Sequence, residues 1–535
     1  MKIRKVVIKN FKKFEEYTLE LSEGINVIVG DNEAGKSTIL EAINLCLSGY
    51  FQGNNMRNEL SEELFNKDSV KKYLIKLSNN EKVLPPELFI ELYFTSEVSN
   101  FKGNGNSLRE DTYGIKYIAR LKKEYEKEYF DLINRTNDSL TALPIEYYET
   151  VLLHFGRDFI THRVVPIKSV LIDSTEYRYQ SGGNSHVSRL IKDGLEDSER
   201  IELAQAYRKI QDDFRGNESL NEINKKIKEG SGFEKSVTLS VDLPAKNSWE
   251  RSLNTRYDDI PFNQIGKGDQ SLIKTKLALS LERSKNANII LIEEPENHLS
   301  YTGLNSLMKL IDDGCKNKQV IITTHSSFVA NKLELKNLIL IKGLDNFKFN
   351  ELSESTYSFF KKLPGYETLR LILCNKAVLV EGPSDELIFQ KCYMEKHYGK
   401  LPIQDKIDVI SVKLTFKRFI EVAKEVGQKV CIVTDNDGKY KTKMEGFRGY
   451  ESENVSIKMD SNDSIPTLEP QFYYANKDNN LNRLETLFGV SEKEEEMLSW
   501  MTSNKTEWSL RVFDSKESFD YPDYILQAVD WCDEK

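Results

Sequence analysis

The chain has 535 residues, 39% of them hydrophobic and 30% charged, with a formal net charge of −9. This allows about three or four domains with real cores. It excludes a surface that binds polyanions throughout, so any nucleic-acid contact must come from local basic patches or from metal bridging acidic groups to phosphate. The six cysteines are scattered with no CxxC pair, against a zinc ribbon or a disulfide framework, and no apolar run approaches the ~18 residues of a membrane span. A cytoplasmic protein without membrane contact is expected.

Alternating patterns predict strands over 3–11 (IRKVVIKNF), 16–21 (EYTLEL) and 25–30 (INVIVG). A helix follows over 36–47, with Ile39, Leu40, Ile43, Cys46 and Leu47 on one face. Further strands are expected at 88–95, 113–121 and 128–133. Ser181–Asn184 is a linker signal. The charged helical stretch from His186 to Ile227, closed by Gly230-Ser231-Gly232, reads either as a solvated surface hairpin or as a dimerisation module. Beyond it, strands are expected at 236–243, 287–294 and 319–325, and helices over 270–284 and 303–315. A connector of mixed polarity leads to a second α/β unit near 373.

Gly30-Asp31-Asn32-Glu33-Ala34-Gly35-Lys36-Ser37 fits G-x-x-x-x-G-K-[ST] between a strand and a helix. The glycines let the backbone wrap a phosphate, Lys36 reaches the β- and γ-phosphates, and Ser37 holds Mg²⁺. Gly30, Asn32, Gly35 and Thr38 complete the ATP-binding candidates. Far downstream, the apolar run Ile289–Ile292 followed by Glu293-Glu294 has the form of a Walker B strand. Glu293 takes the metal position, where Asp is usual, and Glu294 is the candidate general base for the attacking water. His325 follows another apolar strand and either senses the γ-phosphate or is structural.

The stretch Lys376–Phe389 (KAVLVEGPSDELIF) carries a second chemistry. Its apolar run ends on Glu381; Gly382-Pro383 break the strand, and Ser384 is placed to cap a helix starting with Asp385-Glu386. A second run, 429–434 (KVCIVT), ends on Asp435-Asn436-Asp437-Gly438. Carboxylates at the carboxyl ends of buried parallel strands sit where open α/β sheets place their chemistry. Glu381, Asp385, Asp435 and Asp437, the last two on one side of an extended segment, are candidate ligands for Mg²⁺ or Mn²⁺ in phosphodiester chemistry. The plainer reading is a helix cap and a turn. Lys439, Tyr440, Lys441 and Lys443, with Arg448 beyond, form either a phosphate-tracking loop or a solvated charge run.

The opening IKNFKKFEEYTLEL…INVIVGDNEAGKSTILEAI resembles the start of the ABC-type ATPase heads of SMC and RecF proteins, and the wide gap to Walker B is similar. Such heads complete a nucleotide site with a signature loop from a partner. Gly268 and Gln270 hold those places here, although Lys267 and Asp269 depart from LSGGQ. The Glu followed by D-x-D resembles a Toprim domain, although Ile410–Leu414 lacks a glycine common after the second Toprim strand. An ATPase head followed by Toprim on one chain resembles the OLD (overcoming lysogenisation defect) family, whose members act in anti-phage defence in Gabija systems and beside some retrons. On that resemblance Glu469, in Thr467-Leu468-Glu469-Pro470, adds a metal ligand, and Lys505, in Asn504-Lys505-Thr506-Glu507-Trp508, stabilises charge on the scissile phosphate.

The resemblance implies an α/β fold with an ATPase head over 1–180 and 233–345, a helical dimerisation insertion over 181–232, a connector over 346–372 and a Toprim nuclease domain over 373–535. It implies an ATP-regulated, divalent-metal-dependent DNA endonuclease or nickase. The partners it implies are DNA, a second copy joined through the ATPase head, and a second defence component such as a helicase or a retron reverse transcriptase with its msDNA. The alternative is a RecF/SMC-like DNA-repair ATPase whose Toprim domain only binds DNA; it leaves the placed carboxylates without work. A topoisomerase lacks room for a tyrosine-bearing domain after 373, a primase lacks its zinc module, and a transporter ATPase has no use for the C-terminal half.

Overall fold

A computed structural model describes residues 1–52, 54–95, 99–136, 140–173, 195, 197–230, 239–240, 255–280, 288–314, 318–490 and 493–534. They form two compact units, 1–26 with 37–323 and 27–36 with 324–535. The strand expected at 236–243, the linker Ser181–Asn184 and the start of the helical insertion at His186 lie outside the described residues, apart from 239–240. Among the described residues no helix is long and apolar enough to cross a membrane.

In the first unit, strands Ile3–Phe11, Phe14–Glu20, Leu88–Phe94, Thr112–Leu121 and Tyr148–His154 make an antiparallel sheet. Its central strand, Leu88–Phe94, is buried at every position, so even Glu91 is fully enclosed. That charge is held by Lys116 Nζ at 3.1 Å and by donation from Tyr93 Oη (2.9 Å), Ser107 N (2.8 Å) and Ser107 Oγ (2.7 Å). A second group of strands is parallel: Ser169–Asp173, Ile289–Glu293 and Gln319–Thr323. Gln319, fully buried, fastens the two groups. Its amide donates to Ile3 O (2.7 Å) and Ser22 O (2.8 Å) and accepts from Ile3 N (2.8 Å).

The stretch expected as a strand at 128–133 is instead part of a helix, Glu126–Thr136. Tyr129 and Ile133 are its buried residues, four apart, so the 3.6-residue period wins over the short aromatic run. Two helices, Asp197–Arg215 and Glu218–Gly230, occupy the charged insertion and leave Ile201, Ile210, Phe214 and Ile223 exposed.

In the second unit, Leu338–Lys342 pairs in parallel with 27–30 and antiparallel with Asp345–Lys348. The expected connector contains two helices, Glu354–Lys362 and Thr368–Leu373, each with a buried apolar face. Beyond them lies a four-stranded parallel sheet in the order Ile407–Ser411, Lys376–Val380, Lys429–Val433, Val455–Lys458. Its strands are apolar on both sides, as a covered parallel sheet requires. Val378, Val380, Val409, Cys431 and Val433 face a core built with Phe389, Phe472, Trp508 and Ile525, while Leu379, Ile410 and Ile432 are buried on the other side. The chain leaves Lys376–Val380 for a neighbour on one side and then crosses to Lys429–Val433 on the other. That reversal opens a crevice between these two strands at their carboxyl ends.

Gln319→Leu keeps the volume but leaves Ile3 N, Ile3 O and Ser22 O unpaired. At about 1–3 kcal/mol for each orphaned buried group, the loss is expected to exceed ~3 kcal/mol. Urea unfolding of the first unit's signal checks it, and a midpoint equal to that of the parent protein would refute it.

Candidate functional sites

The loop 30–37 is shaped before any ligand arrives. Gly35 has φ +99°, a conformation L side chains avoid, and a Cβ on Gly30 would stand 2.7 Å from Ile341 O. Lys36 is buried, its Nζ donating to Gly30 O and Asp31 O, both at 2.9 Å. Helix Lys36–Ser48 begins there, with Ser37 half-buried, Thr38 buried and Asn32 exposed. His325 is exposed two residues past strand Gln319–Thr323, and Thr324 N donates to Ile28 O (3.1 Å) on the strand that feeds the loop.

Glu293 ends its strand. Glu294 turns sharply at φ +41°, its N–H donating to Thr323 O (2.9 Å) and its Oε2 accepting from Asn297 Nδ2 (2.8 Å). Gly268 lies in the first turn of helix Lys267–Ser280, where a Cβ would meet His298 O at 2.7 Å, and Gln270 Nε2 donates to Ile265 O (2.9 Å). Close packing thus accounts for Gly268 on its own.

The acidic site is assembled by strand register. Val380 is paired with Val433, so Glu381 and Asp435 leave adjacent strands one residue out of step. Thr434 Oγ1 donates to Glu381 Oε1, as does Asp435 N at 3.3 Å. Helix Pro383–Lys396 starts two residues earlier than expected, because Pro383 has no N–H to lose and its φ suits the first helical position. Ser384 is therefore not the cap. Asp385 reaches back to Gly382 N (3.0 Å), and Ser384 Oγ donates to Lys505 O (3.0 Å). Glu469, in the first turn of helix Leu468–Asn476, is buried, and exposed Lys505 heads helix Lys505–Asp514 with its Nζ 3.3 Å from Glu469 Oε1.

Asp437 departs from expectation. The strand stops at Val433 and Asp437 has φ +49°, so the two aspartates do not share one side of an extended segment. Asp437 is exposed and paired with Lys443 (2.5 Å). Between them Asn436 is fully buried, donating to Asp460 O (3.0 Å) and Asn462 O (2.9 Å) and accepting from Gly438 N (2.7 Å); it folds the loop, a role that spacing did not reveal. Lys443 is not a free cation on a DNA-tracking loop. Its Nζ turns inward to Asp435 O (2.8 Å), Asp437 and Glu381 (3.5 Å). Lys413 has φ +54°, taking the left-handed backbone for which a glycine had been missed.

Crowding shows in the protonation of the site. Burial first, and then the Glu381 charge, pushes the Asp385 carboxyl up to about 7. Burial, followed by the charges of Asp385, Glu381 and Glu469, pushes Asp435 up to about 8. Tyr524, buried nearby, is held neutral by burial and by Asp435 and Asp385.

Among the described residues no group of three or more His, Cys, Asp or Glu side chains is arranged to hold a metal ion as it stands, and Lys443 lies against the carboxylates instead. The donor chemistry nonetheless suits a hard divalent cation. All the donors are oxygens, their charges repel one another, and Asp435 Oδ1 is buried without a hydrogen-bond partner among the described residues.

Comparison with known proteins assigns the class. Residues 1–330 match the AAA ATPase domain family, and residues 372–437 match the "Overcoming lysogenization defect protein-like, TOPRIM domain" family. The chain belongs to the AAA ATPase domain family and carries an OLD-like TOPRIM domain behind it: an α/β enzyme, as its motifs implied. Among its relatives, Endonuclease GajA of Bacillus cereus (strain VD045) is 22% identical over 491 residues, covering 83% of this chain and 77% of that protein. Retron Vc95 probable ATPase of Vibrio cholerae serotype O1 biovar El Tor is 23% identical over 417 residues, covering 68% and 77%. DNA replication and repair protein RecF of Lachnoclostridium phytofermentans is 23% identical over 374 residues, covering 62% and 96%.

Asp385 and Asp435 hold protons more tightly when folded, at about 7 and about 8, than at their ordinary 3.8. Their contribution to stability is therefore full below the unfolded value and is lost as pH rises through 7 to 8. A divalent ion replaces those protons, so Mn²⁺ should raise the melting temperature more at about pH 8.5 than at about pH 6. Calorimetric titration in two buffers of different ionisation enthalpy should show protons released on binding; a binding heat independent of buffer would refute this.

Proposed function

We propose that this protein is an ATP-regulated, divalent-metal-dependent DNA endonuclease or nickase that acts in anti-phage defence. The observation that carries the proposal is the convergence of Glu381, Asp385, Asp435 and Glu469 at a parallel-sheet switch point, with two carboxyls held at about 7 and about 8 and Lys505 beside them. Glu381, Asp385, Asp435, Asp437 and Glu469 would hold Mg²⁺ or Mn²⁺, which would supply an activated water and charge neutralisation at the leaving oxygen. Lys505, exposed at a helix N-terminus, places its ammonium on the phosphate as negative charge develops.

In the ATPase domain, Gly30, Asn32, Gly35, Lys36, Ser37 and Thr38 bind ATP. Ser37 and Glu293 hold its Mg²⁺, Glu294 orients the attacking water, and His325 senses the γ-phosphate. Gly268 and Gln270 approach the nucleotide of a second head. The exposed apolar residues of helices 197–230 support a homodimer or higher homo-oligomer. The endonuclease and retron names of two relatives support a DNA-cutting role beside a retron-type component. The partner proposed is a second defence component, a helicase or a retron reverse transcriptase with msDNA, in the cytoplasm.

Supercoiled plasmid incubated with Mg²⁺ or Mn²⁺, with and without ATP, should be nicked or linearised, and Glu381→Ala should abolish cutting. Lys505→Met should slow it about 10²–10³-fold with little change in metal affinity. ATP hydrolysis without cleavage under any of these conditions would favour the repair-ATPase alternative. Lys36→Ala should remove ATP binding and leave Mn²⁺ binding at the acidic site intact by calorimetry; loss of both would refute the assignment of separate sites.

A further inference from the structure

The loop between strand Ile407–Ser411 and helix Phe416–Glu425 is stitched to the backbone that carries Glu381. Val412 N donates to Val380 O (2.9 Å), Lys413 N to Glu381 O (3.1 Å), and Ser411 Oγ to Glu381 O (3.2 Å). At its apex Lys413 sits at φ +54°. Glycine adopts that conformation freely, and Asn or Asp tolerate it through local hydrogen bonds; a lysine gains neither benefit. The backbone at this position does not itself select a lysine.

That side chain is exposed, and among the described residues no carboxylate pairs with it. Its neighbourhood has the same sign. Lys417, exposed on the following helix, reaches the ring of Tyr450 (5.6 Å to the centroid) and comes within 3.9 Å of the Cβ position at Gly446. It thus borders the segment that carries exposed Lys439 and Lys441. Unlike Lys443, which turns into the carboxylates, these lysines are exposed on the segments next to the two acidic strand ends, Lys413 on the loop bonded to the backbone of Glu381 and Lys439 and Lys441 just after Asp437. A phosphodiester approaching the acidic site is repelled by every carboxylate in it, so a fixed cation beside it has to hold the strand.

We propose that Lys413 is a positioning residue that grips a nucleic-acid backbone phosphate next to the one at the acidic site. The proposal rests on the nuclease reading above and adds where the substrate strand runs. A phosphate contact carries no sequence information, so its loss should weaken binding to all duplex sequences alike.

The test compares Lys413→Gly, which removes the charge and suits the backbone, with Lys413→Gln, which removes the charge and keeps the left-handed residue. Binding of a fluorescent duplex oligonucleotide is measured in Ca²⁺ across a salt series. Both variants should bind about 3–10-fold more weakly near physiological salt, with the log–log salt slope shallower by about 0.9. The melting temperature should rise by about 2–4 °C in Lys413→Gly only. Parent-like affinity and slope in both variants overturn the proposal, as does a loss confined to Lys413→Gly. If the parent protein cuts plasmid and Glu381→Ala does not, that outcome sinks this inference alone. If the parent neither binds nor cuts DNA, the nuclease reading falls first and takes the inference with it.

Discussion

Like charges gathered at the ends of two adjacent strands are the constraint on which the C-terminal unit depends. Two unit charges 4 Å apart in a partly buried setting repel by about 4 kcal/mol. Burial, and then the mutual repulsion of Glu381, Asp385, Asp435 and Glu469, raises two of their titrations, Asp385 to about 7 and Asp435 to about 8. Such a cluster survives only if the elements that deliver it cannot move apart. The core beneath supplies that resistance: each fully buried large side chain contributes about 1.5–3 kcal/mol, and Phe389, Phe472, Trp508 and Ile525 are among many. Lys443, against Glu381 and Asp437, and Lys505, against Glu469, relieve part of the repulsion.

The nucleotide loop is organised by a different force. Its conformation comes from backbone geometry, with Gly35 in the left-handed region and Lys36 held by the carbonyls of Gly30 and Asp31. A loop set in this way loses little entropy when a phosphate arrives. One site is thus preorganised by sterics and the other by charge, which gives them different sensitivities. The acidic site responds to pH and to divalent cations, the loop to substitutions that add a Cβ.

Buried polar groups far from either site show the same economy of partners. Glu91, enclosed in the middle of a sheet, has an ammonium, a phenol, a hydroxyl and a backbone amide around it. Asn436 plays the corresponding part beside Asp435, where a fully buried amide folds the loop that separates two carboxylates. Each is costly to strand unpaired and therefore fixes its surroundings.

The amino-acid sequence alone determined the motifs whose chemistry is local. The P-loop needs glycines and a lysine at set spacing, and the strand tips need apolar runs ending on carboxylates, so Lys36, Glu381 and Asp435 were legible, as was the α/β order of an ATPase domain followed by an OLD-like TOPRIM domain. The tertiary structure alone decided what depends on a turn of the backbone or on a partner distant in sequence. Pro383 rather than Ser384 set the helix start, Asp437 left the extended line of Asp435 through a positive φ, and residues 126–136 became helical because Tyr129 and Ile133 found a core. Lys443 read with Lys439 and Lys441 as one run of basic residues in the linear chain. Folding turned Lys443 into the carboxylates and left Lys439 and Lys441 exposed, because a lysine's role follows from what its backbone aims it at.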